Sequence, residues 1–206
     1  MAASTLKLRQ QQRAREDLIA AVLAVIAEIG VDQASIERIL SEAGTSRSTL
    51  YTHFPEGRDG LLRAAYETAG REVLTLAQQD AMVATTWRDR ILAYADALIA
   101  YSSRAHIGHF YNVSGPHLMG MRSGRGIGSQ GTFEAIRDEL SRAVDAGDLA
   151  RALDVDAIAT LLTSSLRDAG IEASRDPQAA QRYVAAMGSL LNGLHADRNS
   201  TQAVGA

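Results

Sequence analysis

The stretch that most constrains this chain is residues 35–54, SIERILSEAGTSRSTLYTHF. Ile36, Ile39 and Leu40 recur at helical spacing and give a first short helix an apolar face. Gly44 follows, where a residue with positive φ is wanted to stop that helix. Ser35 stands at its start, and Thr45 or Ser46 supplies a hydroxyl to cap a second helix. In the second helix Leu50 and Phe54 are four apart and share a face. Arg47, Ser48, Tyr51 and Thr52 fall largely on the other face, which carries a guanidinium, two hydroxyls and a phenol but no acid. A solvated helix face normally mixes both signs of charge. This one suits phosphate oxygens and base edges in a major groove. The unit reads as a DNA-binding helix-turn-helix, and the rest of the chain as what pairs and controls two copies of it.

Composition narrows the partners. The 206 residues carry a formal net charge of −3, so bulk positive charge does not bring the protein to nucleic acid, and DNA binding has to use a local patch. The chain has no Cys, which excludes disulfides, thiolate zinc sites and cysteine nucleophiles. The longest apolar run, residues 18–29, is interrupted by Glu28 and falls well short of the ~20 residues of a membrane span. No signal-peptide layout opens the chain. These features predict a soluble, cytoplasmic protein without a membrane partner.

Along the chain, residues 1–12 are polar and Gln-rich and are expected to be frayed; Lys7, Arg9, Arg13 and Arg15 precede the first acid, a basic arm of the kind that touches phosphates or a minor groove. A helix is expected over 13–29, striped by Leu18, Val22, Val25, Ile26 and Ile29 and ended by Gly30. Pro55-Glu56-Gly57 breaks the chain after Phe54. A long helix over 59–79 follows, long enough to serve two domains at once. Further helices are expected over 87–106, 109–113, 132–146, 154–173 and 177–195, with 112–131, which holds six glycines, as a long loop and the residues after His195 disordered. No period-2 strand pattern appears. The expected fold is all-α, about nine helices, with a DNA-binding domain at 1–58 and a regulatory and dimerisation domain at 59–206.

Residues 19–67, IAAVLAVIAEIGVDQASIERILSEAGTSRSTLYTHFPEGRDGLLRAAYE, resemble the tetracycline-repressor (TetR) family of bacterial transcription regulators. The AG turn, the TLY-x-HF ending and the Pro-Gly break before a Leu-Leu helix carry the resemblance. It implies an Ω-shaped homodimer on a palindromic operator, the last two helices of each subunit forming a four-helix bundle, and a ligand pocket in the middle helices whose occupation releases DNA. Ser46, Arg47, Ser48, Thr49, Tyr51, Thr52 and His53 match the family's DNA-contacting helix, and Arg58 stands where the family commonly has a phosphate-contacting lysine. Three positions depart from the family pattern: Thr45 for the usual Val, Ser48 for the usual Gly, and aliphatic Val25 and Ile26 for the common aromatic. They leave the operator sequence open.

In the middle region Tyr66, Trp87, Tyr94, Tyr101, His106, Phe110, Tyr111, His117, Met119 and Met121 supply soft apolar and polar-tipped groups for a small, largely apolar or aromatic effector, with 112–131 as lid or entrance. For any one of them plain core is the commoner explanation, while as a group some are expected to line a cavity. Gly126, Gly128 and Gly131 spell G-x-G-x-x-G, but no strand precedes them, so a dinucleotide site is not indicated. His106, His109 and His117 lack a nearby carboxylate to complete a metal set, and Ser164-Ser165 lacks a nucleophile-elbow context. No enzyme, metal or cofactor is expected. Two other readings fit the same residues: a small-molecule-binding or enzymatic helical protein whose helix-turn-helix is merely structural, and a constitutive DNA-bending or activating protein without a ligand.

Overall fold

The computed structural model describes residues 2–120 and 126–194, with side chains from Leu8 onward. All regular structure among the described residues is helical. In chain order the helices are α1 (Ala2–Ile29), α2 (Ile36–Ala43), α3 (Arg47–His53), α4 (Arg58–Val83), α5 (Trp87–Ser102), α6 (Ala105–His109), α7 (Gly115–Leu118), α8 (Ile127–Asp145), α9 (Val155–Arg175) and α10 (Ala180–Asn192). A π-turn at Phe110–Ser114 joins α6 to α7, and a 3₁₀ turn at Pro177–Ala179 leads into α10.

The caps explain the boundaries. Gly30, Gly44 and Gly57 each have positive φ and punctuate the ends of α1 and α2 and the start of α4. Ser35, Ser46, Thr86 and Asp154 accept a backbone N–H from the first turns of α2, α3, α5 and α9 respectively.

Three differences from the sequence expectations have physical causes. The first helix starts at Ala2, not near residue 13, because no Gly or Pro stands between Met1 and Gly30 and the Ala, Leu, Gln and Arg there favour helix. Residues 8–13 of this extension are all exposed, so nothing but local propensity holds them. The expected loop at 112–131 is helical at both ends, in the π-turn and α7 and again from Ile127. Its glycines serve contact: a Cβ on Gly128 would fall 2.3 Å from the Tyr111 phenol oxygen and 3.0 Å from Gly70 Cα, and one on Gly131 would fall 2.5 Å from Leu74 Cδ2. The α4–α8 crossing therefore needs bare backbone at Gly70 and Gly128. Third, Leu161 and Leu190, on the apolar stripes of the helices expected over 154–173 and 177–195, are 66% and 58% exposed. Met121 and the residues after His195 lie outside the described residues.

Two main cores organise the chain. The first gathers Leu18, Val22 and Ile26 of α1, Ile39, Leu50 and Phe54 of the helix-turn-helix, and Leu61, Leu62 and Ala65 of α4. It continues through Val73 to Tyr101, Ile107, Phe110 and Tyr111, so packing runs unbroken across residue 58. The second joins Trp87, Ile91 and Ile99 of α5 with Ile136 and Leu140 of α8, Leu162 and Leu166 of α9, and Met187 and Leu191 of α10. A small alanine-rich cluster around Ala77, Ala81 and Tyr94 ties α4 to α5. The long α4 thus packs on the helix-turn-helix at one end and on α5 and α8 along the rest of its length.

Candidate nucleic-acid interface and effector cavity

The short α3 stands on Leu50, which is fully buried, and Phe54, which is 4% exposed. With those two side chains anchored, helical geometry turns Arg47, Ser48, Tyr51 and Thr52 outward, and all four are exposed. Several of the sequence-selected residues serve the scaffold in this state. Ser35 and Ser46 are N-caps, the latter also sharing a 3.0 Å hydroxyl contact with Thr49. The Thr52 hydroxyl donates to the Ser48 carbonyl at 2.8 Å. Thr45 and His53 are half-buried. The Tyr51 ring lies over Gly57, where a Cβ would meet Tyr51 Cε1 at 3.1 Å.

Two placements were not legible from helix faces. Arg47 is ion-paired to Glu37 of α2, so the acid missing from the outer face of α3 is supplied by the neighbouring helix. The Glu37 carboxyl is held below the usual carboxylate range, first by backbone hydrogen bonding at the helix start, then by the Ser35 hydroxyl, with Arg47 adding to both. Arg58 turns inward: its Nε donates to the Ala34 carbonyl at 2.9 Å and its Nη2 to the Val31 carbonyl at 2.5 Å. It thereby staples the α1–α2 connector to the start of α4.

A cavity of about 370 Å³ lies between α4, α5, the π-turn, α8 and α9. Of the ten sequence-selected effector residues, nine are described, and of those Tyr66 and Tyr111 line it. Trp87 and Tyr94 are packed in the α5 clusters and Phe110 is fully buried in the first core. Tyr101 is wedged edge-on against Tyr111, ring centroids 5.5 Å apart, with Arg104 over its other side. His106 and His117 are exposed and Met119 is half-buried; none of the three lines the cavity. Among the described residues no group of three or more His, Asp or Glu side chains is placed to hold a metal.

The cavity is more polar than the aromatic content of the sequence suggests. Asn112, Ser129, Gln130, Thr132, Thr163, Ser164 and Arg167 share its wall with Leu98, Leu166 and Pro116. Asn112 is held by donating from Nδ2 to Ser102 Oγ and to the Gly108 carbonyl, both at 2.9 Å. Close backbone approach allows this: a Cβ on Gly108 would fall 1.8 Å from the Ser102 carbonyl oxygen, and one on Gly170 would fall 2.8 Å from Asn112 Oδ1. Burial raises the Tyr66 phenol, with Arg167 acting in the opposite direction, and pushes Tyr101 up to about 12. Burial raises Tyr111 further still.

Residues 18–65, which span α1 through the start of α4, match the family model of the bacterial regulatory proteins, tetR family. These residues carry the N-terminal helix-turn-helix unit of the TetR family. A curated TetR-type relative, the HTH-type transcriptional regulator BetI 2 of Chromohalobacter salexigens, is 36% identical over 94 residues, covering 46% of this chain and 38% of that protein. The chain thus matches less than two fifths of that relative's length. Solved structures extend the likeness over the whole fold. A TetR-family regulator from Pectobacterium atrosepticum superposes with a TM-score of 0.76 at 22% identity, covering 91% of this chain and 96% of that one. A TetR-family protein from Rhodococcus sp. gives 0.71 at 18% identity, covering 90% and 100%. RolR, solved in complex with resorcinol, gives 0.63 at 22% identity, covering 89% of each chain. At these identities the structures establish the TetR fold and nothing finer. Among the described residues no helix is long and apolar enough to cross a membrane.

The cavity residues that sequence reasoning missed, Asn112, Thr132, Thr163 and Arg167, carry no local signal. They sit on elements far apart in sequence and meet only through helix packing.

Proposed function

We propose that this chain is a cytoplasmic, homodimeric, sequence-specific DNA-binding regulator that represses transcription from a palindromic operator until a small molecule enters the cavity. The observation that carries the reading is α3: two buried apolar anchors, a Ser46 cap, and an outer face of Arg47, Ser48, Tyr51 and Thr52 free of any acid of its own. Arg47 at the start of a groove-inserted helix is suited to grip guanine O6 and N7, a contact worth roughly 1–3 kcal/mol of discrimination. Tyr51 and His53 reach phosphates, which position without specifying. Ser48, Thr49 and Thr52 complete the contact face, with Thr45 and Ser35 at its edge.

Dimerisation through α9 and α10 is supported by Leu161 and Leu190, large apolar side chains left in solvent on the two helices that end the described chain. A second copy would bury them, and an isologous pairing would set two recognition helices toward half-sites about 34 Å apart or somewhat more. Effector control is supported by the cavity, which touches α4, the element shared with the helix-turn-helix core. A ligand that prefers a subunit arrangement with the wrong helix separation weakens DNA binding by the same factor as DNA weakens ligand binding. RolR, of the same fold, is known in complex with resorcinol, which supports a small-molecule role for the middle helices.

Selection of bound duplexes from a random library with the purified full chain tests the reading. Enrichment of one palindrome is expected. On that duplex Arg47→Ala should relax specificity, while Tyr51→Phe should weaken operator and scrambled DNA alike. Equal losses for Arg47→Ala on both duplexes would remove its base-reading role. No enriched sequence at all would shift the function to the cavity and leave the helix-turn-helix a structural unit.

A further inference from the structure

We propose that the cavity takes a small single-ring aromatic carboxylate bearing a hydroxyl group, with the carboxylate at Arg167 and the start of α8 and the hydroxyl at Asn112. This deepens, and rests on, the reading of the cavity as the effector site. Charge decides the sign of the ligand. Among the described residues Arg167 is the one cation that lines the cavity, and no carboxylate does. Arg167 forms no ion pair with any acid among the described residues, whereas eight other acid–base pairs do form. A cationic ligand would meet only this like charge.

The start of α8 adds donors. Its N-cap is Gly126, which offers no side chain to the first turn, and Gly128, Ser129 and Gln130 of that turn line the cavity. The first amides of a helix have no acceptor within the helix and face outward with the positive end of its dipole. Gly128 is pressed against Gly70 and Tyr111, which fixes the start of α8 at the cavity wall.

Polar side chains with spare hydrogen-bonding capacity line the cavity. Asn112 is 6% exposed, and although its Nδ2 is doubly engaged, its Oδ1 accepts no hydrogen bond from any described residue. Thr132 is 5% exposed, and its hydroxyl has no partner among the described residues. A ligand that brings an O–H to Asn112 Oδ1 uses that open acceptor and is favoured over one that does not. The apolar remainder of the wall is flat on one side. The Tyr66 and Tyr111 rings lie 5.7 Å apart and tilted by 33°, and Leu98 and Leu166 add aliphatic surface. A single ring suits both that wall and a volume of about 370 Å³.

The test uses calorimetric titration of the full chain with 2-, 3- and 4-hydroxybenzoate and with the three corresponding hydroxybenzamides, which keep ring and hydroxyl but lose the charge. At least one acid is expected to bind, with its amide weaker by about tenfold or more. Arg167→Gln, at an exposed position, should reduce acid binding by a similar factor and leave the amide within about twofold. Thr132→Val, which preserves shape, should weaken the acid without changing the preference for acid over amide. Binding by none of the acids, equal binding of acid and amide, or unchanged affinity in Arg167→Gln would overturn the proposal. Operator binding measured in parallel separates the two levels. An acid that binds through Arg167 but leaves DNA affinity unchanged upholds the ligand class and refutes effector control. DNA release by other compounds, with no acid bound, does the reverse.

Discussion

Arg58 offers the sharpest test of the structure against the sequence resemblance. The resemblance makes it a phosphate contact; the structure gives its guanidinium two backbone carbonyls, Ala34 at 2.9 Å and Val31 at 2.5 Å. Hydrogen bonds from a charged donor are worth roughly 1.5–3 kcal/mol each, and Arg58 is half-buried, so solvent competes. The pair is therefore worth about 2–4 kcal/mol, and Arg58→Met, which keeps the apolar stem, should lower the melting temperature by roughly 4–16 °C for a chain of this size. The second readout is the salt dependence of operator binding. A phosphate contact contributes about 0.9 to the slope of log K against log salt, and a dimer would lose it twice, about 1.8 in all. A brace leaves the slope unchanged and lowers affinity only as far as α2 and α3 lose their position. A slope reduced by about 1.8 with an unaltered melting temperature would refute the brace and restore the phosphate contact.

Three further outcomes are expected. Glu37→Gln should release Arg47 and remove a negative charge beside the DNA, raising affinity for scrambled duplex by a few-fold at low salt; unchanged binding in a gel-shift titration would mean that the Glu37–Arg47 pair does not compete with DNA. Gly108→Ala places a Cβ 1.8 Å from the Ser102 carbonyl oxygen, so α6 must move off α5, at a cost of ~3 kcal/mol or more; circular dichroism melts that match the unsubstituted chain would contradict this packing. Tyr101, its phenol raised from 10.0 to about 12, contributes stability that is complete below pH 10, where it is protonated both folded and unfolded. That contribution is lost between pH 10 and about 12, where only the unfolded chain ionises it; urea unfolding should weaken over this window, less so in Tyr101→Phe, and an equal decline in both would exclude Tyr101 as a source.

The division between sequence and tertiary structure follows the range of the forces. Much of what is set within one turn was readable from the text alone: a hydroxyl cap at Thr45 or Ser46, the Gly30 and Gly44 stops, the Leu50–Phe54 anchor and the helical stripes. These rest on hydroxyl-to-amide reach, positive φ and the 3.6-residue period, which neighbours in sequence decide between them. The glycines at 126–131 misled because glycine has two uses, turning a chain and letting two helices touch, and only the contact of Gly128 with Gly70 and Tyr111 tells them apart. The aromatics misled likewise. Trp87, Tyr94 and Phe110 have the chemistry of a pocket, but which side of a helix faces a void is decided by the helices packed against it. The polar wall of Asn112, Thr132 and Arg167, the Glu37–Arg47 pair and the inward turn of Arg58 each join residues ten or more apart in the chain. By itself the sequence determined the helix-turn-helix and the all-α fold, because local propensity and periodicity suffice for those. The chemistry of the cavity was decided only by tertiary packing, because its groups belong to five separate parts of the chain and have no common environment until the helices close around them.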